Sequence, residues 1–151
     1  MAARIEPNIA GVAGQYFVAA ELSRRGIVAT ITLRCTQGID ILAARVDGSK
    51  TIGIQVKTNQ GGKQEWLLNQ KCETLRGEDL FYVFVNLNGA TNEPTFHIVP
   101  SGHVAKAIKK NHRLRTEASA REGKPRVDNL LRFFSDVEKK FLGKWKSLGL
   151  G

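Results

Sequence analysis

Three strand-like runs, Val28–Arg34, Ile39–Val46 and Thr51–Thr58, follow one another with only Cys35-Thr36-Gln37-Gly38 and Asp47-Gly48-Ser49-Lys50 between them. Connections this short, made of Gly, Asp and Ser, suit tight turns between antiparallel neighbours, because a parallel crossover needs a dozen or more residues. The chain is thereby committed to a three-stranded meander whose side chains alternate between two faces.

The flanking segments predict the rest of an α/β fold with a mixed sheet. Gly11 to Arg25 reads as a helix with Gly11, Gln15, Val18, Ala19, Leu22 and Gly26 on one face, and Gly26 as its stop. Asn69 to Arg76 reads as a short helix capped by Asn69, although Trp66 to Leu68 also suits an extended conformation. Leu80 to Leu87 is aromatic and β-branched, as a central strand buried on both sides requires, and Thr95 to Val99 is a further strand. Ser101 begins a helix to about Lys110, residues 111–134 read as irregular and basic, and Ser135 opens a last helix. That helix would bury Val137, Phe141, Trp145 and Leu148 and end at Gly149. The expectation is one domain over residues 1–151, with a core at about 10–99 and a basic helical extension at about 100–151.

Composition excludes several classes. No apolar run approaches the roughly 18 residues of a membrane span, and the N-terminal residues carry charge where a signal peptide is apolar, so the expected location is the cytoplasm. Cys35 and Cys72 stand 37 residues apart without a CxxC, which argues for reduced, buried thiols. His97, His103 and His112 lack metal-ligand spacing and suit surface or core roles, and Trp145 suits the core. Gly61-Gly62-Lys63 is not a P-loop, but as a loop beside Lys57 it can touch phosphates.

Charge points to an anionic partner. The balance is 23 − 14 = +9, and residues 103–126 alone hold eight Lys and Arg against two Glu, 8 − 2 = +6. Nucleic acid is the expected partner, with Lys63, Lys106, Lys109, Lys110, Arg113 and Arg115 as candidate contacts. The competing reading is a solvated basic face that meets an acidic protein.

The most informative residues lie in the meander. Alternation places Gln55 and Lys57 on one face of their strand, while Ile52, Ile54 and Val56 occupy the other. In a hairpin over Asp47 to Lys50, paired residue numbers sum to 95 or to 97, depending on the turn. Both sums are odd, so Asp40 lies across from Gln55 or from Lys57, and all three side chains share a face. An acid, an amide and a lysine on a face that otherwise holds Leu42, Ala44 and Val46 are costly to bury unless they bind each other or a ligand. The set suits metal-assisted phosphodiester hydrolysis. Asp40 and the Gln55 oxygen would hold Mg²⁺ or Mn²⁺, a backbone carbonyl would add to the shell, and Lys57 would orient water or balance charge. Gln15, on the apolar stripe of the first helix, is a fourth candidate.

Helix-borne Gln15, then Gly38-Ile39-Asp40-Ile41, then Ile54-Gln55-Val56-Lys57, in this element order, resembles the PD-(D/E)XK nuclease superfamily. The likeness is greatest to the Mrr-type restriction endonucleases and Holliday-junction-resolvase-like proteins. It implies a restriction-endonuclease-like αβββαβ core and a DNA endonuclease in which Asp40 and Gln55 are metal ligands and Lys57 is the catalytic lysine. It also allows a homodimer, since endonucleases of this kind often pair to cut both strands. The resemblance is most specific over residues 11–58. One departure is plain: the family's first-helix residue is usually Glu, and position 15 is Gln, which leaves Asp40 as the only carboxylate. The alternative function is therefore a nuclease-fold nucleic-acid-binding protein without catalysis.

Overall fold

The computed structural model describes residues 3–33, 38–124 and 128–151; Arg34, Cys35, Thr36, Gln37 and Arg126 lie outside them. Helix α1 spans Pro7–Ser23, and strands β1 (Val28–Ile31), β2 (Ile41–Ala44) and β3 (Thr51–Asn59) follow. Next come β4 (Glu65–Asn69), a 3-10 turn at Gln70–Glu73, β5 (Leu80–Asn86) and β6 (Thr95–Pro100). The chain ends with α2 (Ser101–Arg121), β7 (Leu131–Ser135) and a 3-10 turn at Trp145–Leu148. The main sheet has the order β1-β2-β3-β5-β6, with β3 and β5 parallel and the other pairs antiparallel, and β4 pairs with β7 in a second sheet.

The meander forms as the alternation requires. Ile41 pairs with Ile54 and Ala44 with Thr51, so paired numbers sum to 95, the lower of the two expected values. Val46 lies in the turn, not in the strand, and is 78% exposed.

Two apolar layers enclose the main sheet. On one face Ile41, Ala43, Ile52, Ile54, Val56, Val83 and Val85 pack with Ala10, Val18 and Leu22 of α1 and with Trp145 and Leu148. On the other, Tyr82, Phe84 and Val99 pack with Val104 and Ile108 of α2 and with Trp66, Leu68 and Phe134 of the small sheet. This second layer covers only the β5–β6 half. On the β2 part of that face Leu42 is 42% exposed, while Ile41 and Ala43 on the opposite side are fully buried.

Three expectations change. The buried stripe of α1 is Ala10, Gly14, Val18 and Leu22, an i, i+4 ridge, and Gln15 flanks it half-buried. No charged residue occurs from Pro7 to Ala20, so the helix is apolar all round and its sequence does not mark the inner side. Helix α2 continues to Arg121, carried by strong helix formers and by Glu117 between Arg113 and Arg121 at i±4 spacing.

The end of the stretch expected to be irregular forms β7, which pairs Phe134 with Trp66, and the last expected helix is replaced by a turn closed by Asp136 and by the 3-10 turn at Trp145–Leu148. The Asp136 carboxylate accepts from the backbone N–H groups of Lys140 (2.9 Å) and Phe141 (3.0 Å), and its Oδ2 lies 2.6 Å from Nδ1 of buried His97. A side chain that captures the local N–H groups in this way competes with helix. Val137 is consequently 74% exposed, whereas Trp145 and Leu148 are buried, but on the α1 side of the sheet.

Gly14 sets the distance between α1 and β3. A Cβ there would stand 1.9 Å from Thr58 Oγ1, so Gly14→Ala is expected to cost about 1–3 kcal/mol by overpacking, read as a lower midpoint in urea unfolding.

Candidate active site

The site is built where β2 leaves β3. Asp40 immediately precedes β2, and its N–H donates to the Ile54 carbonyl (2.8 Å), although Ile54 is the register partner of Ile41. Two residues thus oppose one, a bulge, and bulges re-aim side chains. Gly38, with φ +76°, begins this approach; a Cβ there would stand 2.9 Å from the Leu75 side chain, so the chain passes close under the Gln70–Glu73 segment and its successor. Beyond the bulge Val56 has lost its strand neighbour, and its N–H donates to Asp40 Oδ2 at 2.7 Å. Gln55 Nε2 donates to the same oxygen at 2.9 Å.

Asp40, Gln55 and Lys57 therefore come together, all half-buried. Burial pushes the Asp40 carboxyl above the ordinary aspartate range, and the Val56 N–H and the Lys57 charge only partly oppose it. Gln15 is not joined to them: among the described residues no hydrogen bond links it to any of the three. The ridge beside it packs on the face of β3 opposite to Gln55 and Lys57.

Both donors to Asp40 reach Oδ2, which leaves Oδ1 without a hydrogen bond among the described residues. With its nitrogen turned to Asp40, Gln55 keeps its amide oxygen for another partner. Strand geometry directs the Val56 carbonyl to the same side as its N–H. A carboxylate, an amide and a carbonyl are all-oxygen donors and fit a hard cation that retains several waters. No group of three His, Cys, Asp or Glu able to hold a metal ion occurs among the described residues, so a cation here would rest on one carboxylate and neutral oxygens.

Tyr82, which sequence reasoning did not single out, is the register partner of Gln55 and is fully buried. Burial and the neighbouring Cys72 thiol raise its phenol well above the ordinary tyrosine range, so it is a neutral wall of the site. Only the parallel β3–β5 register reveals it.

The candidate DNA contacts divide. Lys106, Lys109 and Lys110 are exposed on α2 and form no ion pair among the described residues, and Arg113 lies 3.9 Å from Glu117. Arg115 is a tether, bound to Glu65 at 3.2 Å and laid over the Phe133 ring. Lys63 is exposed in the loop after β3, where its carbonyl accepts from Asn59.

A mixed sheet between two helices is the fold of a known DNA-junction nuclease. A solved structure that shares it is Hjc, a Holliday junction resolvase of the archaeal hyperthermophile Archaeoglobus fulgidus, at 12% identity and TM-score 0.53. The superposition covers 93% of this chain and 97% of the resolvase, and at that identity it establishes likeness of fold. No family model matches the sequence, and no curated protein matches it. No helix among the described residues is long and apolar enough to cross a membrane.

Proposed function

We propose that the chain is a divalent-cation-dependent DNA endonuclease with Asp40, Gln55 and Lys57 at its reactive centre. The observation that carries this reading is the convergence of Gln55 Nε2 and Val56 N–H on one Asp40 oxygen, within the field of Lys57, beside an uncovered half-sheet. Asp40 Oδ1, the Gln55 amide oxygen and the Val56 carbonyl would hold Mg²⁺ or Mn²⁺. A bound ion of this kind polarises the phosphoryl oxygen and lowers the pKa of attacking water. Lys57 orients the water and offsets the negative charge that develops on phosphorus. Tyr82 and Leu42 bound the site on the sheet, and the open β2 face admits the duplex. The basic face of α2 supplies phosphate contacts without base readout.

The test is incubation of purified protein with linear, nicked and four-way-junction DNA in Mg²⁺ or Mn²⁺. Cleavage is expected, and cleavage that persists in Asp40→Ala would assign the activity elsewhere. A second reading, a DNA-binding module without turnover, is favoured by the single carboxylate at the site. Both readings predict salt-sensitive binding. Neutralising Lys106, Lys109 and Lys110 together is expected to reduce the slope of log K against log salt by about 2.7, at about 0.9 per phosphate contact. An unchanged slope would remove α2 from the interface.

A further inference from the structure

We propose that the cleft between α2 and β7 binds a terminal phosphate group, the phosphomonoester of a DNA strand end or of a free nucleotide. The cleft shares no residue with the Asp40, Gln55 and Lys57 centre, and only the strand-end source rests on the DNA-binding reading.

Two adjoining cavities of about 370 and 510 Å³ open in this cleft, and His112, Asp128 and Arg132 line both. The larger is also lined by Lys106, Lys109, Lys110 and Arg113, so five Lys and Arg face two carboxylates, those of Glu73 and Asp128. A concave surface of this charge concentrates anions. Arg132 is its anchor, with only 3% of the residue exposed. Its Nε donates to Glu73 at 2.5 Å, and its Nη1 donates to the carbonyls of Asn129 (2.7 Å) and Leu131 (2.9 Å). Nη2 makes no hydrogen bond among the described residues. The guanidinium is therefore held in place with one nitrogen left for a ligand, and its planar fork matches phosphate oxygens. Asp128 marks where the ligand's charge would sit. Its Oδ1 lies 3.1 Å from His112 Nε2 and 3.9 Å from Arg132 Nη2, yet its side chain is 74% exposed. Ion pairs this open are weak and readily displaced. A phosphomonoester brings a charge of about −1.5 to −2 and three acceptor oxygens. An internal phosphodiester, flanked by sugar on both sides, meets the exposed ammonium groups of α2, whereas buried Arg132 is reached only by a group that enters the cleft.

The experiment titrates the full, ¹⁵N-labelled chain with AMP and with inorganic phosphate at constant ionic strength and follows amide chemical shifts. In parallel, fluorescence anisotropy compares a short duplex carrying 5′-phosphates with the same duplex carrying 5′-hydroxyls. Saturable shifts centred on His112, Asp128 and Arg132 are expected. Arg132→Lys keeps the charge but loses the fork, and should weaken AMP binding about tenfold. Asp128→Asn, an exposed change independent of the Arg132 packing, should strengthen it. Tighter binding of the 5′-phosphate duplex, competed away by AMP, would support the proposal with a DNA end as the source. AMP binding without that end preference would support it with a free nucleotide as the source. Absent shifts, or shifts spread over Lys106, Lys109 and Lys110 without saturation, would overturn it, and so would an Asp128→Asn variant that binds AMP more weakly. AMP binding is read without cleavage, so a failed nuclease assay leaves this result standing, and an absent AMP site leaves the nuclease reading standing.

Discussion

Replacing Lys57 with alanine is expected to lower the single-turnover rate of DNA cleavage by about 10²–10³, the usual cost of removing one electrostatic contact to a developing oxyanion. Lys57 is half-buried on β3, two residues from Gln55 on the same strand face, and its charge acts on Asp40. DNA affinity at moderate salt should change little, because the phosphate contacts of α2 remain. Lys57→Arg should recover only part of the rate, since a planar guanidinium does not occupy the space of a compact ammonium. A rate unchanged in Lys57→Ala would exclude the lysine from the chemistry, and equal losses of binding and rate would make it a docking residue.

Asp40→Asn is expected to reduce cleavage by at least about 10², since the loss of even an outer partner of a metal site costs 10–100-fold. The same change should leave the fold as stable or more so. Asparagine can accept from the Val56 N–H, and its amide can pair with Gln55 after that side chain turns over, so both contacts are replaceable. What disappears is a half-buried negative charge. Because the Asp40 pKa is raised in the folded protein, its contribution to stability is fully present below the unfolded-state value and is lost as pH rises through the folded value. Wild type and Asp40→Asn should therefore unfold alike in acid, and near pH 7 the variant should melt higher. Asp40→Ala should melt lower than either, because the Val56 N–H loses its acceptor, at about 1–3 kcal/mol. A fall in melting temperature for Asp40→Asn at pH 7 would show that its charge stabilises the fold.

Much of the candidate site was legible before any coordinates, and the reason is local. Turn length and two-residue alternation bring Asp40 to the Gln55 and Lys57 side whichever odd register forms, and Ile41 opposite Ile54 is one of those registers. The bulge was not legible, since it follows from the departure of β2 toward β1, where the Thr32 hydroxyl binds the Ile39 carbonyl at 2.6 Å. Gln15 flanks the buried ridge instead of lying on it, which the sequence does not show because a helix with apolar residues on every side offers no periodicity to separate its buried ridge from its exposed face. The final segment was misread because Asp136 binds its own downstream N–H groups and His97, 39 positions earlier.

From the sequence alone follow the meander, the central strand, the basic balance and the convergence of an acid, an amide and a lysine. All of these depend on spacings of a few residues or on counting. Tertiary structure alone decided that α2 and the small sheet cover half of one face and leave the β2 side open. It also placed Tyr82 beside Gln55 and brought β7 to β4 across 62 to 70 positions. Periodicity dictates which way a side chain points; what covers it depends on pairings between distant segments, neither of which carries that information by itself.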